Sequence, residues 1–207
     1  CDYGFGDAIM YARYFPLLKN YFKKVIVCCS PKLIELFKNS FEDIEYTTVY
    51  PEHIYDYSVL AMNLPYFLRM DFSQIPNSQG YLKVDEKKVI EYKEKYFDTD
   101  KLKVGLFWIG GEREKRTAKN RFMALSDLQK IFELPELKFY SLQVDDPFDD
   151  IQFYPDIVDL GKEFKDFSDT AAAMKNLDLM ISIDSSAIHL AGAIGVKSFL
   201  MLPKCSE

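Results

Sequence analysis

The sequence has few of the residues that build metal sites and disulfide frameworks. Its 207 residues include two histidines and four cysteines, and no two cysteines form a C-x-x-C pair. A structural zinc site needs clustered cysteine and histidine ligands, so none is expected. Cys28 and Cys29 adjoin in an apolar run, where neighbouring side chains point to opposite faces of a strand. We interpret them as reduced, buried thiols of a cytoplasmic protein.

An excess of positive charge and long apolar runs are also missing. The 26 Lys and Arg residues against 32 Asp and Glu residues give a net charge of −6, which suits nucleic-acid phosphates poorly. No apolar run is long enough for a transmembrane helix, and no signal peptide is visible. The chain begins without Met and ends soon after an apolar run. We therefore expect it to be part of a longer protein.

What the sequence does have is a regular alternation of strand-like and helical patterns, which is typical of an α/β fold with parallel sheets. The strand-like runs lie at residues 24–29, 44–49, 57–62, 104–109, 139–143, 157–160, 179–183 and 198–202. The helical patterns cover residues 8–19, 32–38, 87–96, 126–135, 168–176 and 187–194, with Ser168 or Asp169 as the cap of the fifth.

The break between two domains is predicted at the end of the charged helix over residues 87–96. This divides the chain into an N-terminal domain, residues 1–98, and a C-terminal domain, residues 99–207. The C-terminal domain has the regular strand-helix-strand order of a Rossmann-like sheet.

Residues 184–192 are the most informative run. They follow an apolar strand and open a helix of small residues. Ser185 and Ser186 would lie beside the unpaired N–H groups of the helix N-terminus, which is a suitable site for a diphosphate. Asp184 precedes them, and His189 follows one turn later. A single histidine on a short helix is more often structural, but this position favours a functional one.

A local basic segment follows the Gly110-Gly111 pair at the end of a strand. It contains Arg113, Lys115, Arg116, Lys119 and Arg121 in a chain that is acidic overall. A solvated loop is the simpler interpretation. The alternative is a set of cations that faces the diphosphate, with arginine as the better phosphate ligand.

Asp7 follows the glycines of the Gly4-Phe5-Gly6 turn and precedes a helix. The third glycine of a dinucleotide-binding motif is replaced by Ile9, so that motif is not present. Asp7 has two interpretations. It can cap the helix, or it can act as a general base at the edge where α/β sheets bind ligands.

Two acidic groups could suggest a metal. Asp98 and Asp100 form a D-x-D pair, which we interpret as linker residues between the domains. The loop with Asp145, Asp146, Asp149 and Asp150 could hold a hard cation, but a solvated loop is favoured. We expect no functional metal and no cofactor.

The chain resembles family 9 glycosyltransferases, the heptosyltransferase-like group, and within it members fused to tetratricopeptide repeats. Four stretches carry the resemblance: residues 1–18, residues 108–111 with 120–121, residues 140–143, and residues 166–172 with 178–193. The last stretch is the specific one.

The resemblance implies a GT-B architecture, in which two Rossmann-like domains face each other across a cleft. It implies further segments outside this chain, namely repeats upstream and a closing segment after Pro203. It also implies a bacterial, metal-independent, inverting transfer of a heptose-like or other sugar. The donor would be a nucleotide-diphosphate sugar, and the acceptor a glycan, a lipid-linked molecule or a protein.

The resemblance assigns Asp7 as the base. The donor site it implies consists of Gly110, Gly111, Arg121, Asp184, Ser185, Ser186 and His189. Lys115 and Lys119 are both candidates for a lysine that assists the diphosphate, and Gln143 is a further candidate. A different class of function is a non-catalytic nucleotide- or sugar-binding module, or an inactive scaffold of the same fold.

Overall fold

The computed structural model describes residues 4–50, 55–76, 80–110, 122–144 and 150–202. Helices and parallel strands alternate along these ranges, and each half of the chain holds one parallel sheet. The predicted α/β class is therefore confirmed. Within these ranges no helix combines the length and the apolar character that a membrane span requires.

Four of the predicted helices are present with small differences at their ends, and they are numbered α3, α5, α7 and α8 below. The α-helices of the described residues are α1 (Phe5–Tyr11), α2 (Phe15–Leu18), α3 (Pro31–Ser40), α4 (Leu64–Phe67), α5 (Glu86–Tyr96), α6 (Gln129–Phe132), α7 (Phe167–Met174) and α8 (Ser186–Ile194). Helix α3 begins as its sequence predicts, because the Ser30 hydroxyl accepts a hydrogen bond from the Lys32 amide. Helix α8 ends at Gly195, whose φ of 78° is the left-handed conformation of a glycine stop.

The sheet of the second half is complete and regular. Its strands are β3 (Leu102–Phe107), β4 (Leu137–Ser141), β5 (Val158–Asp159), β6 (Leu179–Ile183) and β7 (Ser198–Met201). They are all parallel, in the order β5-β4-β3-β6-β7. The first strand of this half is therefore central, the second and third lie on one side of it, and the fourth and fifth lie on the other. This is the strand order of the Rossmann-like sheet that the sequence predicts.

The sheet of the first half is much smaller. It has two short parallel strands, β1 (Ile26–Cys28) and β2 (Glu45–Thr47), joined through helix α3. The third predicted strand, over residues 57–62, is wrong for this structure. Residues 55–60 form irregular chain, and Ala61–Asn63 form a 3-10 turn.

Three helix predictions need correction. The helix predicted over residues 8–19 is divided into α1, a 3-10 turn and α2, because Pro16 near the start of α2 has no N–H to continue the preceding helix. The helix predicted over residues 126–135 is a 3-10 turn followed by the short α6. Helix α7 is capped by Asp166, not by Ser168 or Asp169, since the Asp166 carboxylate accepts the amides of both.

Strand β3 separates two apolar layers, as the alternation of side chains along a strand requires. Val104, Leu106 and Trp108 belong to the core cluster that also contains Leu125 and Leu128. The opposite face belongs to a larger cluster that runs without interruption from helices α1 and α3 of the first half to α7 and α8 of the second. The two halves are thus joined by a common hydrophobic core.

Helix α5 adds polar contacts to this connection. The Lys88 ammonium lies 2.6 Å from both the Ser168 hydroxyl and the Asp169 carboxylate of α7. Burial alone would lower the pKa of Lys88, but the hydrogen bond to Asp169 and its negative charge raise it instead. The ammonium therefore stays charged at neutral pH. The boundary at residue 98 falls between α5 and β3, and it stays a prediction.

Gly161 supplies a test of how tightly the second half is packed. A Cβ at this position would overlap the backbone carbonyl of Gln143, whereas a Cβ at Gly192 of α8 would have no atom within 4 Å. We expect Gly161→Ala to lower the free energy of unfolding by about 1–3 kcal/mol, because the backbone must shift. The matched change Gly192→Ala should raise it by about 0.5–1 kcal/mol, since it removes a glycine from a helix interior. Urea unfolding followed by circular dichroism measures both, and equal stabilities would contradict the packing described here.

Candidate functional site

Asp7 lies in the first turn of α1 as the third residue of the helix, three positions after the N-cap. The N-cap is Gly4, and no side chain caps this helix. The capping interpretation of Asp7 is therefore wrong. Its carboxylate belongs to the first turn of the helix, where a negative charge interacts favourably with the helix dipole. This leaves Asp7 as an acidic side chain whose local structural role is small.

The start of α8 leaves its first amides without a side-chain cap. Ser185 is the N-cap, but its hydroxyl makes no cap hydrogen bond and lies 3.2 Å from the Ser182 hydroxyl at the end of β6. Ser186 is the first residue of the helix and is half-buried, as are Asp184 and Ser185. The Nε2 atom of His189 lies 3.8 Å from the Asp184 carboxylate. Uncapped amides, two hydroxyls and an imidazole are thus grouped at one helix end.

Gly6 brings the two helix ends together. Helix α1 packs against α8, and a Cβ on Gly6 would lie 2.7 Å from the His189 ring and 3.5 Å from the Ser186 Cα. A real Cβ does not approach a ring atom that closely, so the contact needs glycine at this position. The first turn of α1, in which Asp7 is the next residue, is therefore packed against the start of α8, although the two helices belong to opposite halves of the chain.

Gln143 is buried, and its side chain holds the end of strand β3. Its amide oxygen accepts the N–H groups of Trp108 and Ile109 at 3.2 and 3.0 Å, and its amide nitrogen donates to the Ile109 carbonyl at 3.0 Å. In this structure Gln143 therefore positions the backbone that leads to Gly110. A direct contact between Gln143 and a donor stays a prediction.

The basic segment lies mostly outside the described residues. Gly111, Lys115, Lys119 and Arg121 all fall within residues 111–121, for which the structure gives no description. Both ends of that segment are nevertheless placed, because Ile109 pairs with Phe122 in an antiparallel bridge and the Met123 amide donates to the Trp108 carbonyl. The described residues on either side of the segment therefore lie at the C-terminal end of β3. Strand β6, which leads to α8, is the direct neighbour of β3 there.

The acidic groups considered as metal ligands do not converge in the described residues. Asp98 and Asp100 are exposed between α5 and β3. Asp145, Asp146 and Asp149 lie outside the described residues. Within the ranges that the structure covers, no three His, Cys, Asp or Glu side chains are grouped closely enough to hold a metal ion.

Sequence patterns did not indicate the cavity of about 780 Å³ that lies in the first half. Its wall includes Asp7, the strand residues 25–29 and residues 55–62, but no residue of α8. Its inner wall is apolar, with the buried side chains of Phe15 and Phe37 among the lining residues. The cavity is formed where segments that are far apart in the chain meet, so no local sequence pattern indicates it.

The two adjoining cysteines line the same cavity and are reduced. Burial, with a smaller contribution from the neighbouring Cys28, raises the pKa of the Cys29 thiol to about 11. A thiol with so high a pKa is protonated at neutral pH and is a poor nucleophile. The interpretation of Cys29 as a buried, unreactive thiol is consistent with this environment.

No family model matches this chain. The chain is similar to Protein FlbA of Caulobacter vibrioides, with 25% identity over 234 residues that cover 97% of this chain and 38% of FlbA. It therefore spans well under half the length of this curated relative. Among solved structures it is similar to a glycosyl transferase family 9 protein from Veillonella parvula, with 14% identity and a TM-score of 0.46, over 92% of this chain and 66% of that one.

Proposed function

We propose that this chain is the catalytic part of a metal-independent, inverting glycosyltransferase that uses a nucleotide-diphosphate sugar. The observation that carries the proposal is the contact at Gly6. It brings the first turn of α1, which carries Asp7 and belongs to the first half, against the start of α8, whose first amides have no side-chain cap and which belongs to the second half. A proton acceptor and an anion site are the two groups that such a transfer requires.

The N-terminus of α8 is the proposed diphosphate site. Backbone N–H groups without a side-chain cap, together with the helix dipole, favour a bound anion. The hydroxyls of Ser185 and Ser186 can donate to phosphate oxygens. Arg121, with Lys115 or Lys119, would supply the positive charge, because the described residues that flank them in the chain, Ile109 and Phe122, pair at the C-terminal end of β3, whose neighbour is β6. His189 and Asp184 would complete the donor side.

Asp7 is the proposed general base. The acceptor hydroxyl would lose its proton to the Asp7 carboxylate while its oxygen attacks the anomeric carbon of the donor sugar. The bond between that carbon and the diphosphate oxygen breaks, and the electron pair leaves with the nucleoside diphosphate. Attack from the face opposite the leaving group inverts the anomeric configuration. The α8 amides and the basic side chains stabilise the charge that develops on the leaving group.

The partners follow from this chemistry. The donor would be a nucleotide-activated heptose-like or other sugar, and the acceptor a glycan, a lipid-linked molecule or a protein with a free hydroxyl. A cytoplasmic location fits a donor of this class. No cofactor takes part in the proposed reaction.

A non-catalytic binding module is the second candidate, and one observation favours it. Helices α1 and α8 are in close contact, and the cavity described in the first half does not extend to α8. A thermal-shift screen of nucleoside diphosphates and their sugars would identify the ligand, because a ligand that binds the folded state raises its melting temperature. Donor consumption then separates the two candidates, since a binding module holds the nucleotide without consuming the sugar.

Asp7→Asn tests the base. We expect this variant to fold and bind the donor normally but to transfer sugar about 10²–10⁴-fold more slowly, because the amide cannot accept the proton. Glu86→Gln is the matched control. Like Asp7 in α1, Glu86 is the acidic residue in the first turn of its helix, α5. Both changes remove a similar interaction with the helix dipole, worth about 0.3–1 kcal/mol. Single-turnover rates measure the difference, and a normal rate for Asp7→Asn would show that the base lies elsewhere.

Arg121→Ala tests the diphosphate contact. We expect it to weaken binding of a nucleoside diphosphate about tenfold or more and to leave binding of the bare nucleoside unchanged, because a charged hydrogen bond to phosphate is worth about 1.5–3 kcal/mol. Isothermal titration of the two ligands gives the ratio. Equal losses for both would mean that Arg121 does not contact the phosphates.

A chelator tests the independence from metal. We expect transfer to continue unchanged in excess EDTA, and the double change Asp98→Asn with Asp100→Asn to leave the rate within about twofold, which is less than 0.5 kcal/mol in barrier height. Loss of activity that is restored by manganese would contradict the proposed mechanism.

A further inference from the structure

A short irregular segment, residues 80–83, contacts both of the helices that carry the candidate site. It lies just before α5 in the chain, and we refer to it as the strap. The strap reaches the C-terminal half of α1 and the C-terminal half of α8. Asp7, Ser185 and Ser186 lie at the opposite, N-terminal ends of the same two helices. The helices are therefore connected at a second place, apart from the Gly6 contact.

The contact with α8 is made by the backbone of the strap. The Leu82 amide donates a hydrogen bond of 3.0 Å to the carbonyl of Ala193, in the last turn of α8. Carbonyls in that turn have no partner within the helix, so the strap satisfies one that would otherwise be open. Gly80 has a φ of 81°, and a Cβ there would lie 3.2 Å from the carbonyl atoms of Ile194. Both its conformation and this close approach favour glycine.

The contact with α1 is made by the Tyr81 side chain. Its hydroxyl donates to the Ile9 carbonyl at 2.9 Å, and its ring centroid lies 4.8 Å from the guanidinium carbon of Arg13. Arg13 in turn donates from Nε to the Met10 carbonyl at 2.9 Å. Burial raises the pKa of the Tyr81 hydroxyl more than the neighbouring Arg13 lowers it, so the hydroxyl is protonated at neutral pH and acts as the donor. Tyr81 is thus tied to two consecutive carbonyls of α1, directly and through Arg13.

A third attachment fixes the strap itself. The Lys83 amide donates to the Ser40 hydroxyl at the end of α3, and that hydroxyl donates to the Leu36 carbonyl, both at 2.9 Å. Helices α1 and α8 thus contact each other directly at Gly6 and are joined again through a segment that α3 holds in place. A single point of contact would let α1 pivot on α8, whereas a second, separate one restrains that rotation.

We infer that Tyr81 is a positioning residue for the proposed transfer. By holding the C-terminal half of α1, it sets the direction in which the first turn of that helix, with Asp7, meets the start of α8. Tyr81 acts through the Ile9 carbonyl and needs no contact with the donor or the acceptor. The inference rests on the proposed function, because it concerns the same base and the same anion site. A small displacement of the base is costly, since the reacting groups must be aligned before the proton moves.

Tyr81→Phe in the full-length protein removes the hydroxyl and keeps the ring. The matched control is Tyr46→Phe, because the half-buried Tyr46 also donates to helix-end carbonyls, those of Phe37 and Phe41 at 3.1 and 3.3 Å, but at α3. We expect both variants to lose similar stability in urea. Only Tyr81→Phe should lower kcat, about five- to tenfold, which corresponds to one ordinary hydrogen bond, and it should change the KM of donor and acceptor by less than about twofold. It alone should also speed amide hydrogen exchange over residues 9–12, about fivefold.

A double variant shows whether Tyr81 acts through Asp7. We expect Tyr81→Phe to slow the residual transfer by no more than about twofold when Asp7→Asn is already present, because the base that it positions is then missing. A normal kcat for Tyr81→Phe would overturn the inference, as would an equal loss in Tyr46→Phe or an undiminished loss in the Asp7→Asn background. Failure of the proposed function would be seen separately, as an absence of sugar transfer by the unchanged protein, and the positioning role would fall with it.

Discussion

The contact between α1 and α8 at Gly6 is the constraint on which the candidate site depends. With no Cβ at residue 6, the first turn of α1 reaches the His189 ring and the start of α8. Small side chains continue this close packing, because Ala8 of α1 and Ala187 and Ala191 of α8 are all buried in the same core cluster. The position of the first turn of α1 beside α8 is thus a result of core packing between the two halves.

The second half contributes the remaining geometry through its parallel sheet. In such a sheet the loops that follow neighbouring strands meet at one edge, where ligands bind. Here Gly110 follows β3 and Asp184 follows the adjacent β6. The buried Gln143 amide fixes the first of these loops by three hydrogen bonds to the Trp108 and Ile109 backbone. A side chain that the sequence suggested as a ligand therefore has a positioning role in this structure.

The second half was the more predictable from its sequence, and the reason is physical. Strands β3, β4, β6 and β7 are short apolar runs beside clear helix signals, and Gly195 marks the end of α8 by its left-handed conformation. The cap of α7 was misplaced because Asp166, Ser168 and Asp169 are all good caps within four residues, and only the backbone geometry selects Asp166. The role of Gln143 could not be predicted, since its partners lie 34 and 35 residues away in the chain.

In the first half, local sequence and structure disagree at residues 57–62. An apolar run specifies a strand only if a neighbour offers it a hydrogen-bonding edge. The described sheet of this half consists of β1 and β2, and residues 57–62 pair with neither of them. Their composition therefore favours a strand that the surrounding structure does not stabilise. For Asp7 the consequence is that its position depends on helix packing. A general base must be held within a fraction of an ångström of its working position, and the close contact of α1 with α8 at Gly6 restrains the backbone of the first turn of α1, to which Asp7 belongs.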